Sequence, residues 1–128
     1  MIDDQFDRLS GKIKTAIGTL TEQPIAYLFN THMHRDHSGG NAKFNSKNTV
    51  LIAQDNVRTR IMGNQKAKLE AQEISLDDYR KSPPEVTFSE DATCYDGEET
   101  IMAFHVHQAH TDGDAIGLLY AKQCLAHG

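Results

Sequence analysis

This chain has no tryptophan, and its aromatic residues amount to only 7% of 128 positions. A core built from it must rest on Ile, Leu, Val, Ala and a few Phe. Cysteine is scarce: Cys94 and Cys124 stand far apart and form no CxxC pair. They read as two small buried side chains rather than as a redox or ligand pair. Positive charge is in deficit, with 13 Lys and Arg against 18 Asp and Glu, a net charge of −5. That balance argues against a nucleic-acid partner, which calls for a basic patch or stripe. It does not exclude an enzyme whose positive charge is supplied by a metal. No apolar run approaches the ~18 residues of a membrane-spanning helix, so no membrane partner is expected. The opening Met1-Ile2-Asp3-Asp4 has neither a basic nor an apolar leader region, so no signal peptide is visible. With 38% hydrophobic and 24% charged residues the composition fits neither a disordered tail nor a membrane protein. The length of 128 residues argues for one domain at most.

Histidine is what the chain has in excess. Of seven, His32, His34 and His37 form one cluster, His105, His107 and His110 form another, and His127 stands apart. Around them the pattern is orderly. Residues 3–20 read as a helix, because Phe6, Leu9, Ile13, Ala16, Ile17 and Leu20 recur at three- and four-residue intervals. Asp3 and Asp4 are placed to cap its N-terminus. IAYLFN (25–30) reads as a short buried strand that runs straight into THMHRDH (31–37). Ser38-Gly39-Gly40-Asn41 opens a short helix to Ser46. TVLIA (49–53) is a second buried strand, and Asp55 caps a helix through Val57 and Ile61. The polar residues 63–83 read as a solvated helix and loop rather than a binding segment, ended by Pro83-Pro84. Strands are expected at 86–88, 92–95, 100–106, 115–120 and 123–126, with Asp96-Gly97 as a turn. Alternation followed by a run of strands fits a mixed sheet with helices packed on one side.

The segment His32 to His37 reads HxHxDH. In extended chain, residues two apart share a face, with Cα atoms about 6.5–7 Å apart. Two imidazoles so placed can converge on one zinc, which assigns His32 and His34 to one ion. Asp36 and His37 follow the turn and can face a second ion, as in two-metal hydrolases. The Asp36 carboxylate is also the candidate catalytic group, able to hold an attacking water. Gly39 and Gly40 let backbone pack close behind the site. His110, in the loop AHTDGD (109–114), can complete a three-histidine set with His32 and His34 and leave a fourth position for water. Thr111, Asp112 and Asp114 can orient an imidazole from outside, and the same residues read equally well as an Asp-Gly hairpin turn. His105 and His107 share a strand face and are read as pocket or edge residues, not ligands. Arg35 either meets an anionic group or is solvated.

A strand leading into THMHRDHSGGN, followed by AHTDGDA at 109–115, resembles the metallo-β-lactamase superfamily of metallohydrolases. The resemblance runs through nearly the whole chain, from IDDQFDRL and PIAYLFNTH to DAIGLLYAKQCLAHG. HTDGD resembles the broad metallo-hydrolase members more than the penicillin-destroying ones. The resemblance implies an α/β (α+β) fold, a metallo-β-lactamase-like αββα sandwich with metals at one sheet edge. It assigns His32, His34 and His110 to the first zinc and Asp36 and His37 to the second. It implies one or two Zn2+ per complete domain, and hydrolysis of a small-molecule substrate by a metal-bound hydroxide. Substrate classes across the superfamily include β-lactams, thioesters, lactones and phosphodiesters, chosen by variable loops.

The sequence departs from the family pattern at both ends. Members carry a β-hairpin region before the first helix, a metal-bridging aspartate after the strand that here ends in Leu125-Ala126-His127-Gly128, and a later histidine ligand. His127 falls at the strand end and is not read as a replacement. Residues 1–128 are therefore expected to be one partial domain with an incomplete sandwich, and its compartment, periplasmic or cytoplasmic, stays unassigned. Three readings compete: a zinc-dependent hydrolase domain, a non-catalytic metal-binding or interaction remnant of one, and a nuclease-like variant, which the charge of −5 disfavours. Exposed sheet edges and the face around Phe104 and Leu118 are expected to favour self-association.

Overall fold

A computed structural model of the chain describes residues 1–121. A single 3-10 turn at Asp7–Leu9 leads into helix α1, Ser10–Gly18. Strand β1 is Tyr27–Asn30, followed by two one-turn helices, α2 at Arg35–Ser38 and α3 at Asn41–Phe44. Strand β2, Val50–Gln54, enters helix α4, Asp55–Glu70, and α5, Leu76–Lys81, precedes strand β3, Val86–Phe88. Strands β4 (Asp91–Asp96), β5 (Glu99–His105) and β6 (Ala115–Ala121) complete the order.

The strands form two sheets packed face to face, as the resemblance implies, and not the single mixed sheet that their order alone suggests. In the first, β1, β2 and β3 are parallel, with Leu28 opposite Leu51 and Ile52 opposite Val86. In the second, β4, β5 and β6 are antiparallel, with Cys94 opposite Ile101 and Phe104 opposite Ile116. The connections decide this. Helices between β1, β2 and β3 return the chain to the same end, which parallel pairing requires. Between β4 and β5 a tight turn at Gly97, with φ of +62°, reverses the chain directly.

The period of two along each strand then sets the layers. Leu28 and Leu51 face the helices and pack with Phe44, Ile13 and Ile17. On the same side Ala53 meets Val57 and Ile61 of α4. Phe29, Ile52 and Phe88 face the other way and meet Ile101 and Ala103 of the antiparallel sheet. The parallel sheet is thus covered on both faces, which is why its strands read as continuous apolar runs. Among the described residues the layers are helix, sheet, sheet. The outer face of the second sheet carries Phe104, Ile116 and Leu118, which are 37%, 56% and 49% exposed.

Local expectations are corrected at several points. The helix expected over 3–20 begins only at Ser10, because Asp3 and Gln5 adopt positive φ (56° and 63°). Residues 1–3 instead run beside β1, with Asp3 N–H donating to Phe29 O at 2.7 Å and Phe29 N–H to Met1 O at 3.0 Å. Asp3 and Asp4 are therefore not helix caps; their carboxylates reach into tertiary structure. The helix expected from Ser38 to Ser46 is split into α2 and α3 at Gly39-Gly40. Gln54, not Asp55, caps α4: its side chain accepts from Asn56 N–H at 2.7 Å. The strand expected at 123–126, together with Cys124 and His127, lies outside the described residues. No helix among the described residues is long and apolar enough to cross a membrane.

Candidate metal centre

The loop after β1 is held at both ends. Asn30, buried at the last position of the strand, exchanges amide hydrogen bonds of 3.0 and 2.8 Å with buried Asn41 at the start of α3. Asn41 also donates to Ser82 O at 2.8 Å. Such a pair costs little when fully satisfied and much when one partner is removed, so it fixes where the loop leaves and re-enters the core. Thr31 O accepts from Ala115 N–H at 2.8 Å, which ties the end of β1 to the start of β6. Two glycines allow the close return. A Cβ on Gly39 would lie 3.0 Å from Gln5 O, and one on Gly40 would lie 2.9 Å from Asp4 O.

Asp3 organises this loop, a role that the sequence reading missed. Its carboxylate accepts from Thr31 N–H at 2.7 Å and Thr31 Oγ1 at 2.6 Å, and lies 2.7 Å from His37 Nδ1. A carboxylate only accepts, so Nδ1 carries a proton in this pair, and Nε2, 3.4 Å from Asp36 Oδ2, is the nitrogen left to meet an ion. Asp4 holds the next turn: its Oδ1 accepts from Gly40 N–H at 2.8 Å. Burial pushes the Asp4 carboxyl up to about 7, against the pull of the Gly40 hydrogen bond. No local pattern signals Asp3, because its partner His37 is 34 residues away.

The candidate ligands gather as two overlapping groups. One ligand atom each from His32, His34 and His110 lies within 4.8 Å of the others, and the same holds for His32, Asp36 and His37. The rings of His34 and His110 are 4.9 Å apart, those of His32 and His110 5.4 Å, and those of His32 and His37 3.9 Å. His32 therefore stands within reach of both groups, where the sequence reading gave it to the first alone. Burial, then the nearby His37, lowers the pKa of His32, which favours the neutral imidazole that binds metal. Asp36 Oδ2 lies 3.4 Å from His37 Nε2, and its side chain is half exposed.

His110 comes from the other sheet, on the loop between β5 and β6, and that loop is anchored. Thr111 N–H donates to Asp114 Oδ2 at 2.7 Å, and Thr111 Oγ1 bonds the other carboxylate oxygen. Burial pushes the Asp114 carboxyl up, but these hydrogen bonds outweigh it and hold it below the ordinary range. From α4, Asn56 Nδ2 donates to Asp112 O and Arg60 Nη2 to Asp112 Oδ2, both at 2.8 Å. The Arg60 hydrogen bond lowers the Asp112 pKa. Gly113 sits so close to Val57 that a Cβ would come within 2.9 Å of its backbone nitrogen. These side chains hold the loop that carries His110; among the described residues their hydrogen bonds run to one another and to α4, not to a candidate ligand imidazole.

Among the described residues the other two histidines are engaged elsewhere. His105 Nδ1 lies 2.9 Å from Asp114 O, and His107 Nε2 lies 2.8 Å from Glu90 Oε2. Neither belongs to a metal-holding group among the described residues. Arg35 and Met33 line a separate cleft that none of the five candidate ligands borders.

The donor set fits a divalent ion: imidazole nitrogens with one carboxylate, and one imidazole backed by a second carboxylate, as metal-ligating histidines usually are.

Comparison with known proteins agrees. The family model described as "Metallo-beta-lactamase superfamily" matches residues 18–128. No curated protein matches the chain. Among solved structures, it is similar to a metallo-β-lactamase from Pontibacter korlensis, at 21% identity and a TM-score of 0.67, over 95% of this chain and 49% of that one. A metallo-β-lactamase from Cronobacter sakazakii with an HARLDQ motif gives 20% identity and a TM-score of 0.73, over 94% and 48%. One from Hirschia baltica gives 14% and 0.55, over 91% and 47%. The chain thus spans about half the length of these proteins. With its α/β fold, its histidine-rich centre and a family match over most of its length, this chain belongs to the metallo-β-lactamase superfamily.

Proposed function

We propose that this chain carries the metal-binding part of a zinc-dependent hydrolase. In this reading His32, His34 and His110 hold one ion, and Asp36 and His37 contribute to a second. The observation that carries it is the convergence of His110, from the antiparallel sheet, on His32 and His34 at the end of the parallel one. When bound, the ion supplies Lewis acidity toward a scissile carbonyl or phosphoryl oxygen and acidifies water. The chain's own residues do the rest. Asp3 keeps the proton on His37 Nδ1. Asp36, half exposed beside His37, is placed to accept a hydrogen bond from the attacking water and orient it. The substrate is a small molecule with a β-lactam, thioester, lactone or other ester bond.

The test is a hydrolysis panel of those four classes with a zinc-loaded version extended at both ends to the length of its structural relatives, beside Asp36→Asn. The proposal expects turnover of at least one class by the extended version, most of it lost in Asp36→Asn with the circular dichroism spectrum unchanged, and poor turnover by residues 1–128 alone. Near-normal turnover in Asp36→Asn would remove its catalytic role. The second reading is a metal-binding protein without turnover, which associates through the exposed face of Phe104, Ile116 and Leu118. Tight zinc binding with no hydrolysis, together with dimers in sedimentation, would favour it.

A further inference from the structure

Behind the metal loop lies a cleft of about 500 Å3. Its size is that of a small-molecule site, since such pockets run to roughly 300–1,000 Å3. The loop separates it from the candidate ligands: His32 and His34 face one side while Met33 and Arg35, which alternate with them, line the cleft, and the turn of α2 returns His37 to the ligand side.

The charge of the cleft is opposite to that of the chain. Arg8, Arg35, Lys43 and Lys68 line it, against the carboxylates of Asp7 and Asp78. The chain as a whole has a net charge of −5. Among the described residues none of these four cations is in an ion pair; the arginine and lysine pairs are Arg60 with Asp112 and Lys81 with Asp77. Uncompensated cations gathered around low-dielectric walls raise the local concentration of anions. The Arg8 guanidinium is steadied 4.8 Å over the Phe6 ring, which also lines the cleft. Two guanidinium forks are thus available for a carboxylate or phosphate. Apolar side chains, Met33, Ile61 and Ile74, supply the rest of the wall.

We propose that this cleft binds a small organic anion, with one phosphate or carboxylate head on a short apolar stem. The head meets Arg35 and Lys68, and the stem lies against Met33 and Ile61. The polar segment 63–83, read from sequence as merely solvated, then supplies one wall of a binding site through Lys68 and Ile74. The proposal does not depend on the hydrolase reading, and zinc-free protein suffices to test it.

The experiment is an NMR titration of the full chain with hexyl phosphate, with hexanoate as the carboxylate arm and hexanol as the uncharged one. Saturable shifts are expected at the amides of Gly39, Ala42 and Ala67 with hexyl phosphate or hexanoate, and the stronger arm identifies the head group. Hexanol should shift them weakly. The double variant Arg35→Gln/Lys68→Gln should bind roughly tenfold or more weakly, the loss expected for charge-assisted hydrogen bonds. Lys14→Gln, a cation outside the cleft, should bind as the parent does. No saturable shift with either anion, equal binding of hexanol, or undiminished affinity in the double variant would overturn the proposal. An unchanged spectrum away from the cleft shows that the double variant is folded.

Discussion

The parallel sheet and the antiparallel sheet differ in what covers them and in what they give the candidate metal centre. The parallel sheet has helices on one face and the second sheet on the other, and Leu28, Leu51 and Ile52 are at most 1% exposed. Among the described residues the antiparallel sheet is buried where it meets the first, through Ile101 and Ala103. From the well-covered sheet come His32, His34, Asp36 and His37, on a loop gripped by Asp3, Asp4 and Asn41. From the other comes His110 alone, on a loop gripped from outside by Asn56 and Arg60 of α4. The first group rides on a loop anchored in the core by buried Asp4, Asn30 and Asn41, and the last candidate ligand is clamped onto it.

Breaking the core should show the contrast most strongly. Leu28→Ala is expected to cost about 2–5 kcal/mol of unfolding free energy, as buried leucine truncations do. Leu118→Ala, half exposed on the antiparallel sheet, should cost less than about 1 kcal/mol. Urea titration of both variants measures the difference; equal losses would mean that the two sheets are equally committed to the core.

The next effect is a dependence on pH that belongs to the parallel side. The Asp4 carboxyl is raised from 3.8 to about 7 by burial. Below the lower value it is neutral whether the chain is folded or not, and the stability tied to this shift is fully present. As pH rises toward the upper value, the unfolded chain ionises first and that stability is lost, by up to about 1.4 kcal/mol per pH unit. In metal-free protein, Asp4→Asn should flatten the stability profile across this window while keeping its Gly40 hydrogen bond. An unchanged profile would place the titration elsewhere.

Asp3→Asn acts on the ligands rather than on the core. The amide nitrogen that replaces Oδ2 only donates and can accept from neither Thr31 Oγ1 nor His37 Nδ1, so His37 loses its fixed tautomer. Zinc affinity, measured by competition with a chelating dye, should fall by about 10–100-fold. Unaltered affinity would make Asp3 a purely architectural residue. Smallest is the clamp on the other side: Arg60→Gln removes an exposed pair with Asp112, and zinc affinity should fall within about threefold, more at low salt than at high. A larger or salt-independent loss would mean that Arg60 contacts the site directly.

Much of this was legible in the residues, and unevenly so. HxHxDH declared itself because its spacing is local, and β1, β2 and the hairpin at Gly97 followed from apolar runs and turn chemistry. Asp3 was hidden, because two adjacent aspartates before an apolar stripe look like a helix cap, and only tertiary contacts turn them elsewhere. The Asn30–Asn41 pair was hidden for the same reason. Splitting the strands into two sheets depended on how helices and hairpins route the chain, which periodicity alone does not encode. Arg35 could not be placed from sequence, since its direction follows from the alternation of the loop, which turns it into the cleft.

The central claim is that His110, carried by one sheet, completes a zinc site begun by His32 and His34 on the other. Calorimetric zinc titration of the parent chain and of His110→Ala, with bound metal counted after dialysis, tests it most directly. The account predicts saturable binding in the parent and a clear loss of zinc in His110→Ala, with the fold retained. Equal metal content in the two proteins would contradict it and remove His110 from the site.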